Sequence, residues 1–285
     1  MDFEQNARKF INSDHIGNYV DIGDISIHYL EAGEGDVLLL VHGIGQSLYT
    51  WRKNFYELAK SFRVIAIDLP GYGYSGRPDA AYTIEENSQF IEGFLNTLQI
   101  KTCHIAAFGS GALYALYFMY SNPKRVKRAI VIAPGGLTAS CPQQVRMLGG
   151  KMMGRMSAMM INERTVRTLL EGCYFDRTLI SNDDVREYYL PINDTVSKEA
   201  ILRSVSNLNM GTVMDVLRDV EQKVLIMWGK DDSWRPPEMA NLFHAAMKNS
   251  LLLEIRNCGH LMHEEKPEKF NAAVLEFLHE KKRSS

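Results

Sequence analysis

The chain has 285 residues, 46% of them apolar and 23% charged, which suits one large globular fold with a sizeable core and argues against disorder. Its 32 basic and 34 acidic side chains are spread along the sequence and leave a net charge of -2, so a concentrated basic face for nucleic acid is not expected. The longest apolar runs, such as "VLLLV", are strand-sized and far short of a membrane span, and the polar start "MDFEQNARKF" lacks the apolar segment of a secretory signal, so a cytoplasmic location is expected.

Two alternating stretches, "NYVDIG" and "ISIHYLEAG", predict an antiparallel hairpin at the front. "VLLLVH" follows as a fully apolar strand and leads to a helix at about residues 51–59. "RVIAID" is the next strand and runs into a Gly/Pro loop, after which the helix "IEENSQFIEGFLNTL" precedes the strand "CHIAAF" and its own helix. "RAIVIA" closes this first block. Between Pro134 and about Glu221 the strand rhythm stops, and this span of helical character holds eight of the 14 methionines, from Met147 to Met214. "KVLIMWG" and "SLLLEI" then resume the pattern before a last helix at about residues 268–280. Short apolar strands with helices between them imply a parallel sheet covered on both faces. The chain returns to the same core on either side of the interruption. Residues 1–135 and 222–285 are therefore expected to form the core, and 136–221 a helical lid or cap.

Four landmarks carry a family resemblance: "LLLVHGIG", "DLPGYGYSGRP", "IMWGKDDSWRP" and "GHLMHEEKPEKF". Together with the strand–turn–helix of "CHIAAFGSGALYALYFMYSNPKRV" they resemble the α/β-hydrolase superfamily, in which a G-x-S-x-G turn carries the nucleophile and the triad runs nucleophile, acid, histidine. The resemblance covers nearly the whole chain outside the lid. It implies an α/β fold with a mostly parallel eight-stranded sheet flanked by helices, and a lid inserted after the sixth strand.

The elbow departs from that pattern. The family commonly has a proline fourteen residues beyond its nucleophile, and counting back from Pro123 reaches Gly109. The flanking small residues agree, with Ala107 two positions before and Gly111 two after; an apex at Ser110 would put the bulky Phe108 where the turn packs tightest. Glycine adopts the strained turn conformation almost freely but offers no oxygen. Losing the nucleophile of a serine hydrolase costs roughly 10⁶-fold in turnover. The hydroxyl of Ser110 is expected to point along the helix start, with its N–H in the place of the family's second oxyanion donor.

The other landmarks imply a retained base and anion cradle. Asp232 stands three residues past Gly229, matching the family's acid, and His260 falls in the matching histidine loop. A carboxylate behind an imidazole fixes its tautomer and makes it a competent general base. "HGIG" supplies the oxyanion loop, with Ile44 as donor. His263 is expected at the surface, and His28, His104 and His279 as structural or exposed. Gly43, Phe108, Trp234, Met152 and Met156 are the expected substrate contacts, the methionines because flexible thioethers suit adaptable apolar pockets. Four cysteines without a CxxC pair (Cys103, Cys141, Cys173 and Cys258) read as buried small side chains. No metal site or cofactor motif is evident, so no cofactor is expected.

Three functions fit these residues. The first is an enzyme on a small apolar carbonyl or acyl compound that uses His260, Asp232 and the oxyanion loop without a serine nucleophile, as a hydrolase, lyase or cyclase. The second is an ester, thioester or carbon–carbon bond hydrolase whose serine has been replaced by Gly109. The third is a pseudoenzyme that binds a ligand or a partner. The expected ligand is a small apolar carbonyl-containing molecule; no nucleic acid and no membrane span are expected, and a homodimer is left open.

Overall fold

A computed structural model describes residues 17–135, 156 and 158–279. Its centre is an eight-stranded sheet in the order β1-β2-β4-β3-β5-β6-β7-β8. The strands are β1 (Asn18–Ile22), β2 (Ile25–Ala32), β3 (Val37–Val41), β4 (Arg63–Ile67), β5 (Cys103–Phe108), β6 (Val126–Ile132), β7 (Lys223–Gly229) and β8 (Ser250–Ile255). β1 and β2 make the expected hairpin, with Val20 opposite Ile27. β2 also runs antiparallel to β4, and the remaining neighbours are parallel. β3 and β5 are buried at every residue. Helices cover both of their faces, which is why β3 reads as an unbroken apolar run and β5 as one interrupted only by His104.

The helices follow from local signals. The single helix expected near residues 51–59 is instead a 3₁₀ turn, Leu48–Trp51, followed by the short α1 (Phe55–Leu58). The Ser47 hydroxyl accepts the Tyr49 N–H and so opens the turn three residues earlier than the apolar pattern suggests. α2 (Ile84–Thr97) starts on a capping box in which Thr83 and Glu86 satisfy each other's backbone N–H groups. α3 (Ser110–Ser121) follows β5 directly and is buried without a break from Ser110 to Leu116. It is the hydrophobic centre of its layer.

Between β6 and β7 the described residues are helical: α4 (Glu163–Cys173), α5 (Asn182–Tyr189), α6 (Thr195–Asn207) and α7 (Met210–Met214). α8 (Glu238–Ala246), α9 (Met262–Glu265) and α10 (Pro267–His279) complete the chain. Among the described residues no helix is long and apolar enough to cross a membrane. The carboxyl ends of β3, β5, β7 and β8 open toward the same side, where open α/β sheets hold their ligands.

Candidate active site

β5 ends at Phe108 and α3 begins at Ser110, so Gly109 alone makes the turn, with φ 62° and ψ -122°. That region strains any residue with a Cβ, by about 1–3 kcal/mol, and glycine is at ease there. Space is not the obstacle. A Cβ at position 109 would meet its first non-neighbouring atom, Nη1 of Arg235, at 3.6 Å. At Gly111 the reverse holds: a Cβ would stand 2.1 Å from the carbonyl oxygen of His42, so close packing of helix on strand demands glycine.

Ser110 does not point along the helix start as expected. Its hydroxyl reaches across to the oxyanion loop and accepts the Ile44 N–H at 2.8 Å. The donor expected to hold a substrate oxygen is thus taken by the protein's own side chain. Among the described residues no hydrogen bond joins Ser110 to His260. The loop itself is held by His42, whose Nε2 accepts the Leu69 N–H at 3.0 Å, so that Nδ1 donates to the carbonyl of Gly43 at 2.8 Å. The N–H of Gly43 is in turn taken by the Gln46 side chain at 3.0 Å.

Asp232 and His260 come together from the ends of β7 and β8. Nδ1 of His260 donates to Oδ2 of Asp232 at 2.6 Å, since the carboxylate can only accept. The other oxygen of Asp232 accepts the N–H groups of Trp234 at 2.8 Å and Arg235 at 2.9 Å, which fixes the carboxylate's orientation. Burial alone would raise the Asp232 pKa, but the charge and hydrogen bond of His260, the Arg235 N–H and the Arg235 charge bring it below its ordinary value. For His260 burial is the largest influence and pushes the pKa down. The Arg235 charge adds to that, and the attraction of Asp232 offsets only part of it. The imidazole is therefore neutral at neutral pH, with Nε2 available as a base. Trp234 stacks on it at 5.7 Å and 17°, and Phe108 meets it edge-on at 4.9 Å.

The histidine loop is braced from behind. The His260 N–H donates to the Cys173 carbonyl at 2.6 Å. Glu265 accepts the N–H groups of Gly259 at 2.7 Å, Asp176 at 2.9 Å and Phe175 at 3.2 Å, tying the loop to the segment after α4. Glu264, fully buried, pairs with Arg52 at 2.6 Å and accepts the hydroxyls of Thr50 and Tyr174, each at 2.6 Å, and of Tyr188. Arg52 also pairs with Asp184 at 2.6 Å. His263 belongs to this cluster and not to the surface, a correction to the sequence reading. Its ring has no exposure, and Nε2 bonds the Thr50 hydroxyl at 2.7 Å. Burial pushes its pKa down to about 3, so it is neutral.

A cavity of about 180 Å³ lies over these groups. An engineered cavity of roughly 150 Å³ holds benzene, so this one has room for a ring-sized molecule. Gly43, Ile44, Phe108, Gly109, Ser110, Trp234 and His260 all line it, with Asp232 behind the imidazole. Met156 does not: it is 65% exposed and absent from the lining, which corrects its assignment as a substrate contact. Among the described residues, the helices between β6 and β7 line the cavity with aliphatic side chains such as Val166, Leu170 and Ile201. Met152, like Cys141, lies outside the described residues. Sequence reasoning missed Arg235 and Tyr188, which also face the cavity; "DDSWRP" held the only signal for Arg235, a charged residue directly after Trp234 and three past the acid.

The model of the alpha/beta hydrolase fold family matches residues 36–267, and the chain belongs to that family. Among curated proteins it is similar to a 2-hydroxy-6-oxo-6-phenylhexa-2,4-dienoate hydrolase of Burkholderia cepacia, 29% identical over 96% of this chain and 97% of that one. A protein of the same name from Comamonas testosteroni is 27% identical over 92% and 94%. Among solved structures, the meta-cleavage product hydrolase CumD from Pseudomonas fluorescens IP01 superposes with a TM-score of 0.80 at 23% identity, over 93% of this chain and 98% of that chain. The carboxylesterase CesB of Bacillus subtilis does so with 0.80 at 22%, over 97% of each.

Proposed function

We propose that this protein is an enzyme for a small apolar carbonyl compound, in which His260 moves the proton and no serine attacks. The observation that carries the reading is the 2.6 Å bond from His260 to Asp232 beside an apex that is glycine. His260 takes a proton from a water molecule or from the substrate, and Asp232 steadies the imidazolium that results. For hydrolysis, the water oxygen adds to the carbonyl carbon, the adduct collapses with release of the leaving group, and the proton returns from His260 to that group. The oxyanion formed on the way is met by the Ser110 N–H, which as the first residue of α3 has no partner within the helix. The Ile44 N–H joins it once the Ser110 hydroxyl turns aside. The helices between β6 and β7 act as the lid that keeps this chemistry dry. The names of the relatives favour hydrolysis of a keto-dienoate carrying an apolar group as the reaction class.

Turnover of a synthetic 6-phenyl-2-hydroxy-6-oxohexa-2,4-dienoate, followed by loss of its visible absorption, tests the reading. His260→Ala is expected to lower it by roughly 10²–10⁴-fold. In the unsubstituted protein the acid limb of the rate profile is expected below pH 6.5, because the lowered pKa keeps the imidazole in its basic form there. Unchanged turnover in His260→Ala would end the proposal.

A second reading has its own support: a conventional hydrolase whose serine became Gly109, since a side chain at that position has 3.6 Å of clearance. Under it, only Gly109→Ser cleaves short aryl esters and the chain as it stands is inert.

A further inference from the structure

Ser110 holds the Ile44 N–H at 2.8 Å, and one turn further along the same helix lies a hydroxyl with no hydrogen bond of its own, that of Tyr114. The two residues are four apart in α3, the spacing at which side chains meet on a helix surface. Long side chains in a helix lean back toward its amino end, which carries the Tyr114 ring toward the turn that Ser110 begins. Tyr114 is wholly buried and does not line the cavity, whereas Ser110 does. Burial pushes the pKa of the phenol up, and Ser110 is close enough to draw part of that rise back. A buried hydroxyl left without a partner is costly to a fold. Here the cost falls directly behind the group that covers the oxyanion loop.

We propose that the Ser110 hydroxyl has two seats, the Ile44 N–H and the Tyr114 hydroxyl, and that its move from the first to the second opens the oxyanion loop to a carbonyl ligand. On the first seat the loop's donor is covered and Tyr114 goes unmet. On the second, Ser110 pairs with Tyr114 and the Ile44 N–H is released to an oxygen in the cavity. Without a ligand each arrangement leaves one polar group unmet, so neither is strongly preferred. A carbonyl oxygen supplies the missing partner only in the second, and so shifts the population toward it. The move is one staggered rotamer change of a serine side chain and displaces no backbone. Tyr114 is thus a positioning residue, which acts on the ligand through Ser110 alone. The proposal rests on the proposed role of the Ile44 N–H as an oxyanion donor and takes nothing from His260.

Acetophenone, a ring-bearing ketone without a leaving group, tests this by binding alone, read by calorimetry and from the Ile44 amide resonance. Ser110→Ala is expected to bind it roughly three- to tenfold more tightly than the unsubstituted protein, about the worth of one hydrogen bond, because nothing covers the Ile44 N–H. Tyr114→Phe removes the second seat and is expected to weaken binding by roughly the same factor. Its melting temperature is expected to hold or rise, since the change deletes an unmet hydroxyl; a residue needed only for packing would lose stability instead. With Ser110 already alanine, adding Tyr114→Phe is expected to change binding by less than about twofold, because the two act as one unit. Unchanged binding in Tyr114→Phe, an equal loss in the Ser110→Ala background, or no binding by any of the four proteins would overturn the proposal. Should Tyr114→Phe fail to fold, a crystal of the unsubstituted protein with acetophenone decides. The Ser110 hydroxyl is expected within about 3.5 Å of the Tyr114 hydroxyl, a usual hydrogen-bond limit, with the ketone oxygen on the Ile44 N–H. A Ser110 hydroxyl still on Ile44 beside the bound ketone would overturn the switch. Turnover in His260→Ala bears on the catalytic reading alone, so the two can fail separately.

Discussion

The elbow at Gly109 and the loop at His260 face each other across one cavity, and they are built in opposite ways. At the elbow the chain does little: a glycine turn, a clearance of 3.6 Å, and a serine that spends its hydroxyl on the Ile44 N–H. Behind His260 the fold invests heavily. Asp232, Glu264 and Glu265 are all buried, and each accepts several hydrogen bonds from backbone or side chains. A site that had drifted out of use would have no reason to keep one half so closely held. The contrast supports the proposed reading, in which the imidazole is the working group.

Substitutions on the two sides should therefore differ sharply. The largest effect is expected at Glu264→Ala, which leaves the buried Arg52 guanidinium with Asp184 as its one carboxylate and takes the acceptor from three hydroxyls; removing one partner of a buried pair costs about 3–5 kcal/mol. Urea unfolding would read this directly, and a cost below about 1 kcal/mol, the worth of an exposed pair, would remove the brace from the comparison. On the elbow side, Ser110→Ala only frees the Ile44 N–H. The expected cost is about 1 kcal/mol, with turnover of the keto-dienoate kept to within about tenfold, because the backbone N–H at position 110 stays in place. Turnover abolished in that variant while the fold is intact would make Ser110 a chemical participant and reverse the assignment of the two sides.

Much of this was legible in the amino-acid order, and for identifiable reasons. Strands buried on both faces are mostly apolar, so β3, the greater part of β5 and the second half of β6 announced themselves, as did the small residues around the turn. Asp232 and His260 were placed by their position past strand ends. What the order did not convey was decided by contacts distant along the chain. Ile44 and Ser110 are 66 positions apart, and nothing near either one says that the serine hydroxyl will swing to the loop. His263 lies in a polar run, "HEEKPEK", that reads as surface, and it is buried by residues distant along the chain, with the Thr50 hydroxyl on its Nε2 and Trp51 and Phe108 against its ring. Met156 illustrates the converse. Its apolar side chain suggested a pocket wall, but helical position and not hydrophobicity decides which residues of an insertion face inward, and it faces solvent.

Whether an oxygen nucleophile is absent can be settled by mass. Incubation of the protein with an excess of a fluorophosphonate, which phosphonylates activated serines, is predicted to leave the intact mass unchanged, while Gly109→Ser under the same conditions gains one adduct. A stoichiometric adduct on Ser110 of the unsubstituted protein would contradict the vacant apex and return this chain to acyl-enzyme chemistry.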